Sequence, residues 1–210
     1  MFLFDCEGEK RRILEFVMMK FFKEGFYKTT VAELASELRI SKKTIYKYFS
    51  SKEELLDEVI NTLMRTGKAN VDGISNGDGD ALLKLIKLKE FFTSVFINLS
   101  PKFMGDIERY GQDKWRKIDE FRTELIQRNF VKIFEQGKKE KIFRDFNSKV
   151  VMTMMLSSFR TIVNPAFLIN SNFSAPAGAN MVYNFFFTGM VTEKGKFLLN
   201  KYKESLQDEE

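Results

Sequence analysis

With 210 residues the chain is long enough for one large domain, or a small one joined to a larger one, with a sizeable core. Its 44% hydrophobic content, three prolines and lack of clear alternating apolar segments point to an all-helical protein, while a formal charge of +5 says little by itself. Histidine is absent and Cys6 is the single cysteine, so the commonest general base, a zinc site, a Cys-His nucleophile and an internal disulfide are all excluded or strongly disfavoured.

The short apolar start, Met1 to Phe4, runs into Asp5 and Glu7 and lacks the basic region and long apolar core of a signal peptide. No uncharged apolar run approaches a membrane span, and one cysteine fits a reducing compartment, so a cytoplasmic chain with no membrane partner is expected. A first helix is predicted from about Glu9 to Lys23, with Ile13, Leu14, Val17, Phe21 and Phe22 inward and Gly25 ending it.

The stretch from Thr30 to Leu55 organises the rest. Thr30 and Glu33 have the spacing of a capping box, and the helix they open puts Leu34, Ala35 and Leu38 on one face. Ser41 then caps a second short helix, Lys42 to Phe49, in which Ile45 and Phe49 face inward. That turns Lys42, Lys43, Thr44, Tyr46 and Lys47 to the other faces, and Ser51 with Glu54 repeats the capping pattern to begin another helix. Two short helices about a tight turn, the second carrying lysines, a hydroxyl and aromatic rings, have the layout of a DNA-binding helix-turn-helix. The segment from Arg39 to Lys52 contains Arg39, Lys42, Lys43, Lys47 and Lys52 and no acidic residue, whereas Glu53, Glu54, Asp57 and Glu58 follow at once. Any one lysine is most simply a solvated side chain; the cluster favours phosphate neutralisation.

Helix four is expected from Lys52 to about Thr66, with Leu56, Val59, Ile60 and Leu63 as its apolar stripe, and Gly67 to Asp80 reads as a Gly-, Asp- and Asn-rich loop. That loop is no calcium site, because a frame beginning at Asp72 places Ile74 and Leu83 where oxygen ligands are required. Further helices are predicted at Ala81 to Leu99, Lys102 to Tyr110, Asp113 to Gln136 with Gly137 as its stop, Ser148 to Asn164, Ala177 to Val191, and Glu193 to Leu206. Asp106 and Glu108 read as solvated carboxylates, and Gly189 to Lys196 misses the spacing and the Ser or Thr of a phosphate loop. No catalytic constellation, metal site or cofactor is expected, which leaves an enzyme as a remote reading.

The run Gly25-Phe26-Tyr27-Lys28-Thr29-Thr30-Val31, followed by Ile40-Ser41-Lys42-Lys43-Thr44-Ile45-Tyr46-Lys47-Tyr48-Phe49 and Ser51-Lys52-Glu53-Glu54-Leu55, resembles the amino-terminal domain of the TetR family of repressors. Arg39 stands where that family usually has a turn glycine. The resemblance implies a helix-turn-helix DNA-binding domain over residues 1–50 and a larger helical ligand-binding and dimerisation domain over 51–210. It implies a homodimeric repressor on double-stranded operator DNA, released by a small-molecule effector. An architectural or cell-division protein on the same fold without a ligand is the alternative. Carried over to matching positions, DNA contacts would come from Thr30, Ser41, Lys42, Lys43, Thr44, Tyr46, Lys47, Tyr48 and Lys52.

The second half is rich in phenylalanine and methionine at helical spacing. Such stripes are most often core, and the resemblance raises the reading that Phe92, Phe96, Met104, Phe134, Met155 and Phe159 line an apolar pocket. Arg160, in an apolar run, is expected at an interface or reaching solvent rather than at an anionic ligand. Val150, Val151, Met154, Phe185, Phe186 and Phe187 spread over more than one helix face, and a twofold dimer would cover them.

Overall fold

In the computed structural model, residues 2–98, 100–162, 167 and 174–207 are described, with the side chains at 96–98, 175 and 203–207 excepted. Ten helices are found among the described residues: α1 (Gly8–Glu24), α2 (Val31–Leu38), α3 (Lys42–Tyr48), α4 (Lys52–Asn76), α5 (Ala81–Asn98), α6 (Pro101–Tyr110), α7 (Gln112–Lys139), α8 (Ser148–Ile162), α9 (Ala175–Met190) and α10 (Glu193–Gln207). The only β pairing among them is an isolated antiparallel bridge between Phe143 and Val191. The fold is all-α, as the composition predicts.

The chain divides into two compact units, one of Met1–Ala69 with Ile97–Arg122 and one of Asn70–Phe96 with Thr123–Glu210. This division differs from the expected boundary at residue 50. The first part of α4, all of α6 and the start of α7 belong with the amino-terminal helices. In the first unit, Ile13, Leu14, Val17, Phe21, Leu34, Ile45, Phe49, Leu55 and Val59 form a continuous buried core with Phe103 and Ile107 of α6. Each such large side chain contributes roughly 2–3 kcal/mol by leaving water. Phe103 packs edge-on to Phe22 at 5.1 Å between ring centroids, and Ser100 donates its backbone N–H to the Phe22 carbonyl, so α6 is fastened to the end of α1.

Helix α4 runs ten residues past its expected end, through Gly67 and Gly73 to Asn76, and most of the predicted loop is therefore helix. Side chains far along the chain hold it there. In the second unit, Asp72 accepts from Arg128 at 2.6 Å and from Asn129 at 3.1 Å, Asn76 accepts from Lys132, and buried Lys84 donates to the Ser75 carbonyl at the helix end. In the first unit, Lys114 pairs with Asp57 and Lys117 donates to Asn61, each at 3.0 Å. Within each unit the partners on α4 and α7 differ by 56 or 57 residues, the signature of two helices running parallel.

Gly137 does not stop α7. It lies inside the helix because the Phe143 ring occupies the space a side chain would need: an added Cβ would stand 2.1 Å from that ring. In the second unit α8 packs on α9, and the turn after α7 is tied to the end of α9 by backbone bonds from Arg144 to Met190 and from Thr192 to Ile142.

Candidate nucleic-acid interface

The two short helices are defined by local caps. Thr30 Oγ1 accepts the Glu33 N–H at 3.2 Å while Glu33 returns a carboxylate to the Thr30 N–H at 2.7 Å, closing the capping box. The Thr30 backbone N–H first, and the Thr30 hydroxyl after it, hold the Glu33 carboxyl below its ordinary pKa. Helix α2 ends on Arg39, whose backbone is left-handed at φ 56° and ψ 42°. Its N–H and that of Ile40 turn back to Ser36 and Ala35, and Arg12 donates a guanidinium N–H to the Leu38 carbonyl. Ser41 Oγ then accepts the Thr44 N–H at 3.0 Å, and the two hydroxyls share a further bond at 2.9 Å.

Helix α3 is seated by Ile45 and the following Phe49, both essentially solvent-free. Its opposite side exposes Lys42, Lys43, Lys47 and Tyr46, the last 49% accessible, with Thr44 and Tyr48 half-buried. Among the described residues, Lys28, Arg39, Lys42, Lys43 and Lys47 pair with no carboxylate, whereas Lys20, Arg11 and Lys114 do. Unpaired cations on one face of a helix are what phosphate binding requires, because no internal partner has to be given up. Tyr48 differs from the rest: its hydroxyl donates to Glu9 and its ring lies under Lys47 at 5.2 Å.

Lys52 points elsewhere than expected for a free phosphate ligand. Its ammonium donates to the Tyr27 carbonyl at 2.8 Å, and burial pushes its pKa down despite Glu53, Asp106 and Glu33 nearby. The same loop is held from its other side by α6. Asp106 accepts the Tyr27 N–H at 2.9 Å, so it is not the solvated carboxylate expected of it, and Gly25 at φ 82° leaves room for its approach. The role of Asp106 was not legible because it lies some eighty residues from the loop it holds.

Of the expected pocket residues, Phe134 is fully buried between Phe130 and Phe143 with near-parallel rings, and Met155 is buried. Phe159 meets Tyr183 edge-on at 4.9 Å and Phe92 lies against Phe91. Burial pushes the Tyr183 hydroxyl well above the usual tyrosine range. Met104 belongs to the first unit, packed on the helix-turn-helix core, whereas Phe92, Phe134, Met155 and Phe159 belong to the second; the Phe96 side chain lies outside the described residues. Arg160 is exposed and donates to Thr123 Oγ1.

The expected dimer residues separate into two groups. Val150, Met154 and Phe185 are exposed, the last 75% so, and Met181 joins them at the same helical spacing. Val151, Phe186 and Phe187 are buried by this chain itself, because the packing of α8 on α9 already covers them. Val150 and Met154 also line a shallow open groove with Lys149 and Thr153.

Residues 13–59 match the family described as bacterial regulatory proteins, tetR family. This stretch is the helix-turn-helix domain of the TetR family of transcriptional regulators. Over 189 residues the chain is 23% identical to the HTH-type transcriptional regulator YvaF of Bacillus subtilis, covering 89% of this chain and 97% of that one. Among solved structures it is similar to a transcriptional regulator from Cytophaga hutchinsonii, with a TM-score of 0.66 and 20% identity, covering 89% of this chain and all of the other. It is also similar to a putative transcriptional regulator from Saccharomonospora viridis in complex with choline, with a TM-score of 0.61 and 18% identity over 88% and 98% of the two chains. At these identities the structural likenesses speak for the fold. Among the described residues no helix is long and apolar enough to cross a membrane.

Proposed function

We propose that this TetR-family chain is a homodimeric repressor that reads an operator with α3 and leaves it when a small apolar or amphipathic molecule binds the second unit. The observation that carries the DNA half is the unpaired cationic face of α3 opposite buried Ile45 and Phe49. In this reading Lys42, Lys43, Thr44 and Tyr46 approach the major groove, Ser41 and Lys47 meet the flanking backbone, and Thr30 and Lys52 hold phosphates at helix starts. Lys52 then exchanges the Tyr27 carbonyl for phosphate, and Tyr48 is a support rather than a reader.

The dimer half rests on Val150, Met154, Met181 and Phe185, apolar side chains on two packed helices that the described residues leave exposed. Two half-sites require recognition helices about 34 Å apart, so a small shift within the dimer is enough to lose the match. Helix α4, which begins at Lys52 and is continuous to Asn76, is the covalent path for that shift. The effector acts only through a difference in affinity between the two spacings, and operator DNA must weaken its binding by the same factor. Functionally, residues 1–50 then read DNA and 51–210 bind the effector and the second copy. The complex of a similar fold with choline supports a small-molecule effector without naming this one.

Analytical sedimentation tests the arrangement. The native chain should sediment as a dimer, and Phe185→Glu with Met154→Glu should give folded monomers with greatly weakened operator binding. A native monomer at micromolar concentration, or charged variants that remain dimeric, would contradict it.

A further inference from the structure

Three side-chain polar atoms among the described residues are buried without a hydrogen-bond partner: Arg65 Nε, Arg122 Nε and Ser75 Oγ. Buried donors are nearly always satisfied, and a guanidinium stays charged at any ordinary pH, so two orphaned arginine N–H groups call for an acceptor. Both lie in the first unit. There Asp57 meets Lys114 and Asn61 meets Lys117 on the parallel pair α4 and α7. Arg65 and Arg122 are each eight residues beyond Asp57 and Lys114, so they keep the same offset and continue the same stripe of each helix. By that register the next polar rung of the pair is Arg65 and Arg122, where the earlier rungs place a donor opposite an acceptor.

Both outer nitrogens of Arg65 and the Nη2 of Arg122 are already engaged. Arg65 reaches Asp5 at 2.6 Å and Thr62 Oγ1 at 3.1 Å, and Arg122 reaches Asp119 at 2.6 Å. The buried Nε–H of each arginine is left without an acceptor. We propose that Arg65 and Arg122 form a binding site for the carboxylate of a small amphipathic molecule, each Nε–H donating to one carboxylate oxygen. The proposal rests on the ligand-responsive reading above and names the ligand's chemical class. A singly charged carboxylate suits the site better than a phosphate dianion, because Asp119 and Asp5 already share the two positive charges. Asp5, with 70% of its side chain exposed, is screened by solvent and leaves Arg65 most of its field. The neighbours Leu63, Met64, Trp115 and Ile118 are partly buried apolar side chains packed on the first unit's core, which fits an apolar body behind the charged head. Arg160, exposed and bonded to Thr123, supplies no such pair.

Calorimetric titration of the full-length chain with decanoate, benzoate, decanol and inorganic phosphate tests this. Decanoate or benzoate should bind, decanol should bind at least about tenfold more weakly than decanoate, and phosphate should not compete. Arg122→Gln and Arg65→Gln should each lower carboxylate affinity about tenfold or more. Arg122→Lys, which keeps the charge and lacks the Nε–H, should rescue it only in part, with circular dichroism and operator binding confirming the fold. No binding of either carboxylate, equal binding of decanoate and decanol, or unchanged affinity in both Gln variants would overturn the site. Operator binding in a shift assay is scored separately. A protein that binds operator but no carboxylate loses this site and keeps the regulatory reading, whereas carboxylate binding that leaves operator affinity unchanged keeps the site and removes its effector role.

Discussion

The rings of Tyr27 and Tyr110 stack face to face, 3.6 Å between centroids and 9° between planes, although the two residues lie on the α1–α2 loop and at the end of α6. With the Asp106 bond to the Tyr27 N–H and the Lys52 bond to its carbonyl, this contact fixes the loop that leads into the Thr30 cap. Tyr110→Ala should therefore lower stability by roughly 1 kcal/mol, and Asp106→Ala by a similar amount. Both should weaken operator binding without changing base preference, because neither touches α3. Denaturant melts and binding to mismatched operators check both halves.

Arg39 occupies a left-handed backbone conformation that glycine adopts without strain. Arg39→Gly should stabilise the chain by up to about 1 kcal/mol, raising the melting temperature by roughly 2–4 °C. A destabilised variant would mean that the arginine side chain makes a contact outweighing its backbone strain.

Glu33 and Glu54 are both held below their ordinary pKa, Glu33 by its bonds to Thr30 and Glu54 by its bonds to Ser50. A depressed folded pKa gives stability that is complete above the unfolded value and is lost as pH falls through the folded one. The chain should lose stability as acid protonates these caps, and Glu33→Gln with Glu54→Gln should flatten that loss while leaving stability at lower pH little changed. Thermal melts across the acid range measure the slope.

Two glycine substitutions should act with opposite sign. Gly73 is inside α4 with nothing near its missing Cβ, so Gly73→Ala should stabilise by about 1 kcal/mol. Gly137→Ala should destabilise by about 1–3 kcal/mol, since the Phe143 ring must move. Chemical denaturation distinguishes them.

These glycines also mark how far the sequence could be read. The helix-turn-helix was legible because Thr30 with Glu33, and Ser41 with Thr44, are caps that bond within three residues. Helix α4 looked finished at Thr66 because its continuation depends on Arg128, Asn129 and Lys132, residues whose approach only the fold determines. Val150 and Val151 are alike as letters, yet one is exposed and the other is buried by its own chain. The same limit applies to Arg65 and Arg122, which are unremarkable until the parallel register of α4 and α7 aligns them.

The central claim is that α3 reads a two-part operator. It is tested most directly by selecting binding sites for the full-length chain from random double-stranded DNA, in parallel with a Lys43→Ala, Tyr46→Ala variant. The account predicts enrichment of an inverted repeat with half-site centres about 34 Å apart, or a whole number of helical turns, and loss of that sequence by the variant. No enrichment, a single unrepeated site, or the same sequence enriched by the variant would contradict it.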